Sequence, residues 1–217
     1  MRKKGAIAAI AVILISWGAI ALTITSFPPS VDSQLHSAIG RAMAEQTRAV
    51  FPAGGSIIVI CRDTTEFAQP AADIQFRAFE REIRRAGLPE PTIRKLELDP
   101  ARPLEVAPGD FLDLIRKAPP NAVIVSLMGP PILTLEQKKQ LGKAHAKIVA
   151  FCSGSLPARV NLSTLFHEGL LDAGVASNYP SPPGSGKSGK LGFDQLYSVL
   201  KPTDLPRPFQ PASDPRR

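Results

Sequence analysis

The chain has 217 residues, a length that suits one domain with extensions, and 44% of its residues are hydrophobic, enough to build a core. Its formal net charge is +7, but three of these charges belong to Arg2, Lys3 and Lys4, and residues 178–217 hold six basic against three acidic side chains. Residues 30–177 hold 17 basic and 16 acidic side chains. This nearly neutral central part argues against a basic groove for nucleic acid.

The first element is an uncharged apolar run over residues 5–24. Twenty helical residues at about 1.5 Å each reach about 30 Å, the thickness of a hydrocarbon core, so residues 1–26 are expected to form a transmembrane anchor. The basic residues before the run place the N-terminus in the cytoplasm and the domain outside it, in the periplasm. The alternative is a cleaved signal peptide and a secreted protein, because residues 19–21 (AIA) suit a signal peptidase.

Residues 27–55 are expected to form a linker and an amphipathic helix. The helix lies over residues 32–50, and we expect His36 on its solvent-exposed surface. Apolar residues recur at helical spacing at Leu35, Ile39, Met43 and Val50.

Residues 56–179 alternate apolar runs with helical patterns, which predicts an α/β domain. Three runs are apolar enough for strands buried on both faces, and a fourth contains charged residues and suits an edge strand. In order they are SIIVIC (56–61), TIRKLELD (92–99, the edge strand), NAVIVSLM (121–128) and KIVAFC (147–152). GVASN (174–178) is a possible fifth strand. Right-handed crossovers then give an open, mainly parallel sheet of four to five strands in the order 2-1-3-4, with flanking helices, a Rossmann- or flavodoxin-like three-layer fold.

Residues 180–217 are rich in Pro, Gly and Ser and are expected to be largely disordered, apart from a short helix over residues 193–200. The stretch PPGSGKSGK (182–190) partly matches a phosphate-binding loop. That loop requires glycine where Ser181 stands, and Pro182 and Pro183 remove backbone N–H donors. A nucleotide site is therefore not expected here, and no cofactor is predicted.

The two cysteines do not form a recognisable reactive site. Cys152 precedes Arg159 by one residue more than a cysteine phosphatase loop allows, and no neighbouring base lowers its pKa. Cys61 ends the first strand, and one strand separates it from Cys152, a spacing of about 10 Å that exceeds disulfide reach. The histidines and cysteines also lack zinc-binding spacing, so no metal is predicted.

The candidate site follows from the sheet topology. In an open parallel sheet, ligands bind beyond the carboxyl ends of the strands, where the strand order reverses, here between the first and third strands. The residues at or just after the ends of these strands and the fourth strand are Arg62, Asp63, Thr64, Thr65, Gly129, Pro130, Cys152, Ser153, Gly154 and Ser155. They are candidate contacts for a small polar ligand. The alternative is that they only form turns, with Asp63 capping the following helix.

The segments RDTTEFAQPAADIQFRAFEREIRRAG and PPNAVIVSLMGPP, with the strands beside them, resemble one lobe of the type I periplasmic sugar-binding proteins. The resemblance covers about residues 55–177. It implies that the loops after the first and third strands contact a ligand, through Asp63, Thr64 and Gly129. Members of that family close two lobes around the ligand, whereas this chain has room for one.

These observations predict a membrane-tethered extracytoplasmic module that binds a small ligand or docks onto a partner protein of the cell envelope. The alternative is a hydrolase or transferase that uses the same crevice, with Asp63 as acid/base or Cys152 as nucleophile. A third possibility is self-association through the helix over residues 32–50 or the C-terminal segment.

Overall fold

The computed structural model of the chain describes residue 16 and residues 31–65, 68–97, 105–142, 145–178 and 192–202. Backbone contacts divide the chain into two compact units, residues 1–32 and 33–217, and the elements below belong to the second. The predicted anchor over residues 5–24 falls outside the described residues except at residue 16, and so does most of the predicted tail. Among the residues that are described, no helix has the length and hydrophobicity to cross a membrane.

The second unit is built on one six-stranded sheet. Its strands are β1 (Ser56–Arg62), β2 (Thr92–Leu96), β3 (Ala122–Ser126), β4 (Lys147–Cys152), β5 (Ala173–Ser177) and β6 (Tyr197–Leu200). Their order is β2-β1-β3-β4-β5-β6, and all neighbours are parallel except β5 and β6. The predicted α/β class, the order of the first four strands and the edge position of β2 are confirmed.

The sheet has one strand more than predicted. We expected a short helix over residues 193–200, but only Phe193–Leu196 are helical, and Tyr197–Leu200 form β6. Along β6, half-buried Tyr197 and Val199 flank exposed Ser198. This alternation is the two-residue period of a strand, and pairing with β5 lets the short segment cover that edge of the sheet.

Helices cover both faces of the sheet. They are α1 (Ser33–Val50), α2 (Pro70–Arg85), α3 (Pro108–Lys117), α4 (Leu135–Gln140), α5 (Leu156–Arg159), α6 (Leu162–His167) and α7 (Phe193–Leu196). A capping box between Thr134 and Gln137 begins α4, as their spacing predicts. Two apolar cores result, one on each face of the sheet.

The position of α1 follows from the handedness of the crossovers. The chain passes from β1 to β2 towards one edge and from β2 through β5 towards the other, so right-handed crossovers put α2 on one face and α3–α6 on the opposite face. The helix α2 alone would leave β3, β4 and β5 uncovered on its face. The helix α1 packs beside α2 and contacts these three strands, with Ile39 and Met43 fully buried in that core.

The two long helices approach most closely at Gly40. A Cβ atom at this position would lie 2.2 Å from the carbonyl oxygen of Gln75 and 2.8 Å from the Cβ of Ala78. Glycine is therefore required for the contact between α1 and α2. This contact also positions the first turns of both helices at the carboxyl edge of the sheet.

Candidate functional site

A cleft of about 360 Å³ opens at the carboxyl edge of the sheet, on the face that α1 and α2 cover. It lies at the ends of β1, β3 and β4, where the strand order reverses, the position at which open parallel sheets bind ligands. The residues that line it are His36, Cys61, Arg62, Thr64, Gln69, Ala71, Ala72, Asp73, Gln75, Phe76, Lys95, Leu127, Met128, Phe151, Ser153 and Tyr197.

The alternation of side chains along the strands decides which residues reach the cleft. On β4, Phe151 belongs to the core beneath α1 and α2, while Cys152 belongs to the core on the opposite face. On β1, Val59 faces α1 and α2 while Ile60 faces the other core, so Cys61 points to the cleft side. One step along a strand therefore separates a cleft residue from a residue of the other core.

Two hydrogen bonds organise the polar rim. The hydroxyl of Thr64 donates to Oδ1 of Asp73 at 3.2 Å. Nε2 of Gln75 lies 2.9 Å from Nδ1 of His36, a contact between the first turn of α1 and the second turn of α2. His36, expected at the surface of its helix, is partly buried because α2 packs against α1.

Aromatic rings form one side of the cleft. The ring centroid of Tyr197 lies 5.8 Å from that of Phe151 and 5.8 Å from that of Phe193, which stacks on it at an interplanar angle of 23°. Burial raises the pKa of the Tyr197 phenol. The neutral phenol thus offers an apolar face and a hydroxyl that can donate or accept a hydrogen bond.

Three of the ten candidate residues line the cleft, namely Arg62, Thr64 and Ser153. Asp63 lies beside it and accepts hydrogen bonds from the backbone N–H of Thr65, at 3.0 Å, and from its hydroxyl. These two bonds, the hydroxyl first, lower the pKa of the Asp63 carboxyl. Asp63 does not cap the following helix, which begins only at Pro70.

The remaining candidates shape the turns. Gly129 adopts a φ of +93°, and a Cβ there would lie 3.1 Å from Leu156; the next residue, Pro130, is buried. The carbonyl of Gly154 accepts a hydrogen bond of 2.7 Å from the Ser177 hydroxyl. Ser155 is exposed before α5, and its side chain forms no capping bond. As ligand contacts, all ten residues remain predictions.

The two cysteines differ in access. Cys152 is fully buried, and burial raises the pKa of its thiol to about 12, which disfavours the nucleophilic role considered for it. Cys61 is partly buried and lines the cleft, and burial raises its pKa in spite of the nearby ammonium of Lys95. Both thiols are free. Within the described ranges, no group of His, Cys, Asp and Glu side chains could hold a metal ion.

Sequence reasoning missed the cleft residues contributed by other elements. Gln75 and Phe76 lie in the first two turns of α2. A helix that follows a parallel strand begins at the carboxyl edge of the sheet, so their position near the cleft could have been predicted from the sequence. Lys95 lies on the edge strand β2, two residues after Ile93. Because side chains alternate between the two faces of a strand, Lys95 and Ile93 lie on the same face of the sheet. Tyr197 carried no comparable signal, because its location depends on the pairing of β5 with β6.

No protein-family model matches this chain, and no curated protein matches it. Solved structures do. The sugar-binding protein of a sugar ABC transporter from Bacillus halodurans is 12% identical, with a TM-score of 0.50, over 78% of this chain and 62% of that one. A solute-binding protein of an ABC transporter from Agrobacterium vitis, bound with alpha-D-tagatopyranose, is 15% identical, with a TM-score of 0.49, over 80% of this chain and 58% of that one.

A substrate-binding protein of a sugar ABC transport system from Bordetella parapertussis is 13% identical, with a TM-score of 0.45, over 66% of this chain and 42% of that one. The chain thus spans between 42% and 62% of the length of these three proteins. The likeness in fold rests on the protein from Bacillus halodurans. It confirms the predicted resemblance to one lobe of the type I periplasmic sugar-binding proteins.

Proposed function

We propose that this chain is a membrane-tethered extracytoplasmic domain that binds a small polar ligand of sugar size in the cleft. The observation that carries the proposal is the cleft itself. A cavity of about 360 Å³ with aromatic walls and hydrogen-bonding side chains falls at the small end of the roughly 300–1,000 Å³ typical of ligand sites.

The lining suits a polyhydroxylated molecule. Hydroxyls at Thr64, Ser153 and Tyr197 offer donors and acceptors, while the ring of Phe151 supplies an apolar surface against which a sugar ring can pack. The solved structure of similar fold from Bacillus halodurans is described as a sugar-binding protein. A sugar is therefore the ligand class that we propose first.

The tether is the apolar run of residues 5–24, which is long enough to span a bilayer as a helix. The basic residues before it favour an extracytoplasmic position for the domain. We also propose that the domain docks onto an envelope protein through the same edge of the sheet. The cleft at this edge is open, so a partner protein can reach it.

Experiments on the full-length protein in membranes, and on the protein purified from them in detergent, test the bound ligand and the membrane tether. Mass spectrometry of the released small molecules should find a polar compound in stoichiometric amount, and the protein should stay in the membrane fraction after alkaline extraction. Recovery of the full-length chain in the soluble fraction would contradict the tether.

A matched pair of variants assigns the ligand to the cleft. Ser153 lines the cleft and Ser155, two residues later, is exposed outside it. Ser153→Trp should displace the compound because the indole fills the cavity, whereas Ser155→Trp should retain it. Absence of any bound compound from the wild type, together with no binding of a monosaccharide panel in calorimetry, would refute the proposed function.

A further inference from the structure

One wall of the cleft comes from residues 192–200, which we call the β6 segment and which comprises α7 and β6. Tyr197 of this segment lines the cleft, and Phe193 of the same segment stacks on its ring. The remaining residues that line the cleft belong to α1, α2, the first four strands or the loops that follow them. The position of the Tyr197 ring in the cleft therefore depends on how the β6 segment is attached to the sheet.

Asn178, the residue after β5, forms three hydrogen bonds with the β6 segment. Its backbone N–H donates to the carbonyl of Leu196 at 2.8 Å, and its Nδ2 donates to the carbonyl of Gln195 at 3.3 Å. Its Oδ1 accepts a hydrogen bond of 2.9 Å from the hydroxyl of Ser198. One asparagine thus holds the chain on both sides of Tyr197.

The strand that these bonds support is short. β6 has four residues and lies at the edge of the sheet, where β5 is its neighbour in the strand order. Leu200 is buried, whereas Tyr197 and Val199 are only half-buried. Elements with little buried surface open locally at a low cost in free energy. We therefore expect the β6 segment to separate from β5 while the rest of the sheet stays folded, and the bonds of Asn178 to control how often this occurs.

We propose that Asn178 is a positioning residue for the ligand site, because it keeps the β6 segment on β5 and thereby keeps Tyr197 in the cleft wall. Asn178 is not among the described residues that line the cleft, so it acts through Tyr197. Separation of the segment removes this wall, and the ligand binds the attached form better. By thermodynamic linkage, the bound ligand stabilises the attachment in turn. This inference rests on the proposed function and adds to it a residue that shapes the site.

Hydrogen exchange of the full-length protein measures the attachment without any ligand. Asn178→Ala removes the two side-chain bonds and keeps the backbone bond, so the amides of residues 195–200 should exchange about tenfold faster, as followed by mass spectrometry of their peptides. Asn121→Ala is the matched control, because it also removes a bond from an asparagine amide to a backbone carbonyl, that of Gly54, at the amino edge. Exchange of residues 195–200 should be unchanged in this control. Equal exchange in wild type and Asn178→Ala, or the same increase in both variants, would overturn the inference.

Ligand binding adds a readout that a purely structural role of Asn178 would not change. The probes are the compound that co-purifies with the protein, and D-glucose, D-galactose, D-ribose and D-xylose. A probe that binds, added at about ten times its Kd, should slow the exchange of residues 195–200 in the wild type about tenfold. In Asn178→Ala the Kd should rise about threefold to tenfold, since part of the protein lacks the Tyr197 wall. In Asn121→Ala the Kd should not change.

The outcomes separate this inference from the proposed function. A probe that binds the wild type without slowing exchange of the β6 segment would contradict the coupling and leave ligand binding supported. The same conclusion would follow if Asn178→Ala exchanged faster in this segment and yet bound the probe with wild-type affinity. A wild-type protein that carries no compound and binds none of the four sugars would refute the proposed function, and with it the role of Asn178 in ligand binding.

Discussion

The amino and carboxyl edges of the sheet use their polar residues differently. At the amino edge, Asp172 accepts a hydrogen bond of 2.8 Å from the backbone N–H of Ile148 and pairs with Lys147 at 2.7 Å. Asn121 likewise donates to the carbonyl of Gly54 at 3.0 Å. These polar side chains are bonded to the protein itself and join neighbouring strands.

At the carboxyl edge, polar side chains remain available to other molecules. Arg62 and Lys95 line an open cleft and form no ion pair within the described ranges. Bonds such as that of Thr64 to Asp73 connect residues of the rim to one another. The difference indicates that the amino edge stabilises the fold and that the carboxyl edge is the surface on which to look for function.

The largest effect should come from the helix contact that supports the cleft. Gly40→Ala forces a Cβ against the carbonyl of Gln75, so we expect α1 and α2 to separate and the free energy of unfolding to fall by about 3 kcal/mol. Because His36 and Gln75 belong to these helices, ligand binding should weaken as well. Urea denaturation measures the loss.

Gly109→Ala is the matched control for this substitution. A Cβ at this helical position meets no atom within 4 Å, and the higher helix propensity of alanine should leave stability unchanged or raise it by up to about 1 kcal/mol. Equal stabilities for the Gly40 and Gly109 variants would contradict the close helix contact.

The next largest effect is the difference in reactivity between the two thiols. It tests whether only the face of the carboxyl edge beneath α1 and α2 is open to reagents. Near pH 8.5, Cys61 should react with iodoacetamide at least about 100-fold faster than Cys152, which is buried and has a pKa of about 12. Peptide mass spectrometry of a time course gives both rates. Rapid alkylation of Cys152 in the folded protein would instead revive the enzyme hypothesis.

A smaller effect is expected when the amino edge is disrupted. Asp172→Ala leaves the N–H of Ile148 without its acceptor at a site where the carboxylate is only 15% exposed, so stability should fall by about 2 kcal/mol. Ligand binding at the distant cleft should not change. Lys147→Gln removes only the exposed partner and should cost less than about 1 kcal/mol. Loss of ligand binding in Asp172→Ala would break the proposed division of roles between the edges.

The smallest effect is on the titration of Asp63. Hydrogen bonds from Thr65 lower the pKa of this carboxyl, so the folded state binds its proton less readily than the unfolded chain. The resulting stabilisation is present above the unfolded pKa of about 3.9 and is lost as the pH falls through the folded value. Thr65→Val should raise the pKa of Asp63, as followed by carbon-13 NMR.

Thr64→Val is the control for this titration, because the Thr64 hydroxyl donates to Asp73 rather than to Asp63. An Asp63 pKa that stays unchanged in Thr65→Val, or one that rises equally in both variants, would show that the Asp63 carboxyl is not held by Thr65.

The sequence by itself determined the layered architecture. Runs such as residues 57–61 and 148–152 are apolar at every position, which is typical of a strand buried on both faces, and the helical patterns between the strands predict parallel, right-handed crossovers. The order of β1 to β4 and the edge at which a cleft opens follow from these local patterns. Arg62, Thr64 and Ser153 could be placed at that edge because each lies within three residues of the end of a recognisable apolar run.

Only the tertiary structure decided which side chains share the cleft. The packing of α1 across β3, β4 and β5 brings His36 to Gln75, and the pairing of β6 with β5 brings Tyr197 to Phe151. The phase of β4 turns Phe151 to the cleft and Cys152 away from it. These contacts join residues distant in the chain, and local sequence periodicity records which face of an element is apolar without recording which partner covers that face.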